Sequence, residues 1–254
     1  MGMVFVPPEG GRYATSLVFV PGLWTPAVAL RGMASFLGHR GWEGRILELV
    51  GQGSLQARTA AAAAAACSVP SPPVLVGHGA GAIVALEAAQ QTSAAAVVLL
   101  FPHVPGNPAS QALTRRWDAL AALVLGRDVP APVGGHAGRI YGPTAPPPLA
   151  PDARDAVLDV VRGRLPVRPA PGIPSLIVSS PDDPLLGPEA ASLLATTLTA
   201  THRTLPGGHW AIAGPAWKET VGVLHRWLVQ TLGESLLELY EEAMADRGDE
   251  PDAS

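Results

Sequence analysis

The stretch from Val74 to Ala89, VLVGHGAGAIVALEAA, constrains the fold more than any other part of the sequence. An apolar run, VLV at 74–76, enters a glycine-rich turn, GHGAG at 77–81, and an alanine-rich segment follows. Apolar β-branched runs favour buried strands, glycine permits sharp turns, and alanine favours helix. This stretch therefore predicts a buried strand, a tight turn and a helix.

The composition limits the classes of protein that fit. A chain of 254 residues with 48% apolar residues is long enough for one large α/β domain with a sizeable core. The net charge of −4, without a basic block, gives no reason to expect a nucleic-acid or membrane partner. The single cysteine, Cys67, excludes an intrachain disulfide and is expected to be buried and inert. We find no secretory signal, and the residue bias resembles that of high-GC bacteria, so we expect a cytoplasmic bacterial protein.

Short apolar runs alternate with helix-favouring segments along the chain. Strands are predicted at 16–20, 44–50, 74–76, 94–101, 175–179 and near 202–205. Helices are predicted at 33–39, 55–66, 111–125, 152–161, 188–197 and from about 216. This alternation predicts an α/β fold with a mostly parallel sheet that helices cover on both faces.

The region 105–171 is dense in proline and glycine, and we interpret it as an inserted helical cap. The predicted core is then 1–104 with 172–233, and 234–254 forms a C-terminal helix and acidic tail. Leucines and Tyr240 share one face of the predicted helix at 234–245. That helix either packs on the body of the protein or forms a homodimer contact.

Several motifs follow one another in a characteristic order: PGLW at 21–24, LELVGQG at 47–53, the 74–81 turn, PSLIVSSPDD at 174–183 and PGGHW at 206–210. In this order and spacing the chain resembles the α/β-hydrolase superfamily, whose members include esterases, thioesterases and lyases. The resemblance runs from about residue 16 to 228 and implies the α/β-hydrolase fold. In that family the 77–81 turn is a Gly-x-Ser-x-Gly nucleophile elbow. Here glycine, Gly79, stands at the serine position.

The resemblance implies a role for each remaining motif. His209 is the expected base, and Asp183 is the expected acid that orients it, with Asp182 as the alternative. The oxyanion amides are expected from Leu23 and Ala80. Because these are backbone groups, they do not depend on the serine.

Gly79 excludes a covalent acyl-enzyme on residue 79, and three explanations stay open. The protein is a repurposed enzyme, a lyase, cyclase or water-using hydrolase in which a His–Asp pair acts as a general acid/base. Alternatively it is a conventional serine esterase or thioesterase inactivated by a serine-to-glycine change. The third explanation is a non-catalytic relative that binds a small molecule or a protein.

The expected ligand is a small, largely apolar ester, lactone or related compound of specialised metabolism, resembling a polyketide. No metal-spaced cluster, dinucleotide fingerprint or phosphate loop is present, so we expect no cofactor. Five aromatic or imidazole side chains are candidate pocket walls, with core packing as the alternative for each. They are Trp24, His78, His103, Trp117 and Trp210.

Overall fold

A single β-sheet positions the residues of the candidate active site. The computed structural model describes residues 2–10, 12–213 and 215–233. Within that part of the chain, seven strands form one sheet in the order β1-β3-β2-β4-β5-β6-β7. Only β1 is antiparallel to its neighbour among these described strands. The strands are β1 Gly2–Val6, β2 Ser16–Val20, β3 Glu43–Glu48, β4 Val74–His78, β5 Ala96–Leu100, β6 Ser175–Ser179 and β7 Thr201–Thr204.

The four central strands are buried along their whole length, which explains their continuous apolar sequences. Every residue of β2, β4, β5 and β6 is buried. Such strands need helices on both faces of the sheet. The predicted α/β-hydrolase fold with a mostly parallel sheet is confirmed. Strand β1 was not predicted, because it is a partly exposed edge strand without a strong burial pattern.

Helices follow most of the strands. They are α1 Arg31–Gly38, α2 Leu55–Cys67, α3 Ala80–Gln90, α4 Trp117–Val124, α5 Gly134–Tyr141, α6 Arg154–Arg162, α7 Pro188–Leu198 and α8 Trp217–Leu232. Two short 3₁₀ helices occupy Ala27–Leu30 and Pro108–Leu113. Cys67, expected to be buried, is exposed because it ends α2 at the surface. No helix in the described residues is long and apolar enough to cross a membrane.

The proline-rich region between β5 and β6 departs most from expectation. The helix predicted at 111–125 is interrupted, because Arg116 adopts an extended backbone (φ −137°, ψ 140°) between the second 3₁₀ helix and α4. Helix α5 was not predicted at all. The division into core and cap stays a prediction, and the C-terminal helix expected at 234–245 lies outside the described residues.

Candidate active site

The turn between β4 and α3 is built by glycines with different physical roles. A Cβ on Gly77 would lie 2.3 Å from the Gly81 carbonyl oxygen, and a Cβ on Gly81 would lie 2.3 Å from that of Val20. Such distances are too short for any side chain, so these two positions require glycine. They allow α3 to begin directly against the ends of the neighbouring strands.

Gly79 stands at the tip of the same turn and is not sterically required to be glycine. A Cβ there would meet no backbone atom closer than 3.9 Å and would lie 3.2 Å from His209 Nε2. The imidazole tip needs to give only a few tenths of an ångström. The backbone has φ 56° and ψ −128°, a region that glycine adopts readily and other residues adopt with strain. The position therefore aims its missing side chain at the imidazole.

His209 and Asp183 form a buried pair beside Gly79. The His209 Nδ1 atom lies 2.9 Å from Asp183 Oδ2, and both side chains are almost completely buried. The other carboxylate oxygen, Oδ1, accepts a 2.9 Å hydrogen bond from the Leu185 amide. Asp182 is exposed, so of the two candidate acids it is Asp183 that lies against the imidazole. With Nδ1 bonded to the carboxylate, Nε2 faces residue 79.

The loop that carries one predicted oxyanion amide, Leu23, approaches the residue that carries the other, Ala80. A Cβ on Gly22 would be 3.4 Å from the Ala80 nitrogen, so the Gly22–Leu23 loop approaches the first turn of α3. The first amides of a helix have no intrahelical acceptor and carry partial positive charge. Among the described residues, neither the Leu23 nor the Ala80 amide has an acceptor. Both amides are therefore free to bind an oxygen of a ligand.

Two further histidines are buried around the pair. His78 Nε2 lies 3.0 Å from the His209 carbonyl oxygen, and the His103 amide donates to the Gly79 carbonyl at 3.0 Å. Burial, with a smaller contribution from His209, lowers the pKa of His103 from 6.5 to about 3. Burial also lowers the pKa of His78 well below its ordinary value. Both imidazoles are therefore neutral. The His78 imidazole contacts the loop that carries His209, whereas His103 contacts Gly79 through its backbone amide and uses its imidazole for Ser110.

The three tryptophans predicted as pocket walls have different environments. Trp24 is buried, and its indole donates a 2.9 Å hydrogen bond to the Val129 carbonyl. Trp210 is buried against His78, with ring centroids 5.0 Å apart. Trp117, expected to wall the pocket, is instead 88% exposed, because it begins α4 with its side chain in solvent. Substrate contacts by the two buried tryptophans stay a prediction.

An ion pair absent from the sequence analysis ties the 105–171 region to the core. Asp152 is fully buried and binds both Nη atoms of Arg58, which is also buried. The same carboxylate accepts from the amides of Trp24 at 2.8 Å and Gly51 at 2.9 Å. Trp24 has φ 60°, which is strained for a residue with a side chain. Asp152 therefore holds the loop that contains Leu23 and Trp24 in an otherwise unfavourable conformation.

Tyr141, at the end of α5, was also missed by sequence reasoning. Its ring stacks on the His209 imidazole at a centroid distance of 5.3 Å and an angle of 17°. Its carbonyl accepts the His209 amide at 3.3 Å. Local sequence offered no clear signal for Tyr141, because the glycine-rich segment 134–142 does not favour a helix. Tyr141 thus covers the imidazole from the side of residues 105–171, the predicted insertion.

An apolar cavity of about 540 Å³ lies in the insertion, lined by α5 and the proline-rich segment after it (residues 132–149). Its wall contacts the loop that carries His209, because the Thr144 hydroxyl donates to the Gly207 carbonyl.

The described residues contain no cluster of three His, Cys, Asp or Glu side chains that could hold a metal ion.

A model of the alpha/beta hydrolase family matches residues 17–222. The chain belongs to this family. No curated protein sequence matches this family member significantly.

Several solved structures are similar to the chain over most of its length. The monoacylglycerol lipase of Paleococcus ferrophilus is 18% identical, with a TM-score of 0.67, over 91% of this chain and 98% of that one. MenH from S. aureus is 13% identical, with a TM-score of 0.67, over 90% and 98%. The thioesterase domain from the curacin biosynthetic pathway is 18% identical, with a TM-score of 0.57, over 87% and 94%. At these identities the similarity shows the fold alone.

Proposed function

We propose that the protein is an alpha/beta-hydrolase-fold enzyme in which His209 and Asp183 act as a general acid/base pair without a covalent intermediate. The observation that carries the proposal is the buried 2.9 Å contact between His209 Nδ1 and Asp183, next to a residue that has no nucleophile. A carboxylate at Nδ1 fixes the tautomer in which Nε2 accepts a proton. The free Nε2 atom then faces residue 79.

The substrate class follows from the remaining groups. The amides of Leu23 and Ala80 stabilise negative charge on a carbonyl oxygen of the substrate. His209 removes a proton from a carbon, a hydroxyl or a water next to that carbonyl, which leads to elimination, ring closure or water-mediated hydrolysis. The aromatic rings of Tyr141 and Trp210 beside His209 favour a small, largely apolar ester, lactone or related carbonyl compound.

Replacement of the base tests this function directly. We expect His209→Ala to lower turnover of a converted ester or lactone by about 10²–10⁴-fold, because general acid/base catalysis contributes that much. Turnover is measured by chromatography of a panel of lactones and esters. The control is His136→Ala, which removes an exposed imidazole in α5. Turnover equal to that of the parent protein would remove His209 as the base.

A second candidate, a serine hydrolase that has lost its nucleophile, is favoured by the direction of the missing side chain at residue 79. A hydroxymethyl group there would point at His209 Nε2, as the 3.2 Å Cβ distance shows. We expect Gly79→Ser to gain a burst of p-nitrophenol from p-nitrophenyl acetate. It should also lose about 1–3 kcal/mol of stability through backbone strain.

Gly79→Ala is the matched control, since it carries the same strain without the hydroxyl. A burst in the serine variant alone would favour the second candidate. Its absence in a folded serine variant would count against that candidate and leave the non-covalent mechanism.

A further inference from the structure

A buried serine, Ser180, lies directly after β6 and begins the turn that carries the acid of the proposed pair. Its carbonyl accepts the Asp183 amide at 3.2 Å, which closes a four-residue turn with Pro181 at the second position. Serine at the first position and proline at the second are favoured in such turns. The Ser180 hydroxyl oxygen also accepts the Asp182 amide at 3.2 Å. Both groups of Ser180 therefore help to set the turn that ends at Asp183.

The same hydroxyl oxygen accepts a second hydrogen bond, from a different loop. The Gly208 amide donates to Ser180 Oγ at 3.0 Å, across 28 residues of sequence. Gly208 directly precedes His209, and Ser180 is only 1% exposed. One buried side-chain oxygen thus joins the turn that carries Asp183 to the loop that carries His209.

The loop before His209 depends on such contacts because glycines form its backbone. Gly207 has φ 107° and Gly208 has φ 67°, and glycine has more conformational freedom than any other residue. The peptide unit between these two glycines is bonded at both ends. Its carbonyl accepts from the Thr144 hydroxyl, and its N–H group donates to Ser180. Because a peptide unit is planar, these two contacts set the direction in which the chain enters His209.

Both acceptor positions of the Ser180 oxygen are used in these contacts. A hydroxyl oxygen has two lone pairs, and the amides of Asp182 and Gly208 are its two donors. The imidazole nitrogen on the side of the acid, His209 Nδ1, is already bonded to Asp183. Ser180 is therefore arranged to orient its neighbours and not to act as a nucleophile.

We propose that Ser180 is a positioning residue, whose hydroxyl keeps the acid and the base of the proposed pair in contact. The catalytic consequence rests on the proposed function, whereas the geometry does not depend on any substrate. The 2.9 Å contact between His209 Nδ1 and Asp183 Oδ2 joins side chains from two different loops. Without the shared oxygen these loops can move apart, and a displacement of about 1 Å can lower a rate about 10²-fold.

The first test uses the intact chain and needs no substrate. The proton between His209 Nδ1 and Asp183 is followed by its low-field ¹H NMR signal, which is assigned by its loss in His209→Gln. We expect Ser180→Ala to speed the exchange of this proton with water on the order of tenfold, since two amides lose their acceptor. The pair then opens to water more often than in the parent protein.

Ser179→Ala is the matched control. Ser179 is the preceding residue and is also buried, but its hydroxyl lies 2.8 Å from His202 Nε2 and contacts neither loop. Its removal should leave the exchange rate unchanged. Ser180→Cys keeps a weak acceptor of similar size, so its rate should lie between those of the parent and Ser180→Ala. Urea midpoints show that each variant is folded, and Ser180→Cys carries the test if Ser180→Ala does not fold.

Turnover of a converted ester or lactone gives a second measurement. Ser180→Ala should lower kcat by about 10–100-fold and leave KM unchanged, because Ser180 acts through the pair and does not contact the substrate. Exchange as slow as in the parent, or equally fast exchange in Ser179→Ala, would overturn the proposal and leave Ser180 a structural residue.

The two measurements also separate this proposal from the proposed function. Faster exchange in Ser180→Ala without any turnover in the parent protein supports the positioning role and removes the proposed reaction. Unchanged exchange and unchanged kcat in Ser180→Ala, with turnover that requires His209, do the reverse.

Discussion

Among the described residues, Asp152 and Asp183 are the two most deeply buried aspartates, and their surroundings differ. Asp183, after β6, has two partners, the Leu185 amide and the His209 imidazole. Asp152, in the insertion, accepts from three backbone amides and from both Nη atoms of Arg58. A carboxylate surrounded by fixed donors and a permanent cation anchors structure. A carboxylate bonded to an imidazole suits the proposed role of Asp183, which is to orient His209 for proton transfer.

Of the substitutions that test this comparison, Asp152→Asn should lower the free energy of unfolding the most. The amide would leave Arg58 buried without its counter-charge and would place an N–H group against other donors. We expect a loss of about 3–5 kcal/mol in the free energy of unfolding, typical when one partner of a buried ion pair is removed. Urea denaturation measures it. The control is Asp155→Asn, an exposed carboxylate at the start of α6. A loss no larger than that of the control would contradict an anchoring role for Asp152.

Asp183→Asn should have the opposite profile. We expect a loss of only about 1–2 kcal/mol in the free energy of unfolding, because one hydrogen bond to a carboxylate is replaced by a poorer one. Turnover should fall about 10²–10⁴-fold, since the imidazole loses its fixed tautomer. Asp182→Asn, at the exposed neighbour, should change neither quantity. If Asp183→Asn destabilises the fold as much as Asp152→Asn, the two aspartates are both structural.

The last effect concerns pH and belongs to the Asp183 side, where buried histidines surround the pair. His103 has a folded pKa of about 3. Its ordinary value is about 6.5, so between these values a proton binds the unfolded chain and not the folded one. Stability is therefore complete above pH ~6.5 and falls as pH decreases, by about 1.4 kcal/mol per pH unit for this residue. The lowered pKa of His78 acts in the same direction.

Urea midpoints measured between pH 7.5 and 4.5 check this dependence. The variant His103→Gln keeps a polar partner for the Ser110 hydroxyl and should flatten the slope. His136→Gln, in an exposed position, should leave it unchanged. A parent protein whose stability does not fall toward pH 4.5 would contradict the neutral, buried state of these imidazoles.

The sequence predicted what local patterns can encode. Continuous apolar runs identified β2, β4, β5 and β6 to within a few residues, because these strands are buried on both faces. Motif order placed His209 and Asp183 in the same site, although the roles proposed for them stay to be tested. The partly exposed edge strand β1 had no comparable pattern.

The insertion was harder to predict, because long-range contacts stabilise it. Helix α5 begins with two glycines and has poor helix propensity, yet Ile140 and Tyr141 are buried by tertiary packing. Asp152 binds Arg58 and Trp24 across 94 and 128 residues of sequence. Nothing near Asp152 in the sequence indicates these partners, so local sequence patterns cannot predict its burial.

The room around the tip of the β4–α3 turn has a genetic consequence. A glycine codon that ends in a pyrimidine becomes a serine codon by a single base change. A side chain at residue 79 would meet only the imidazole tip, so that change costs backbone strain but no clash with the strands or loops around it. One mutation would thus separate the two proposed functions on the same scaffold.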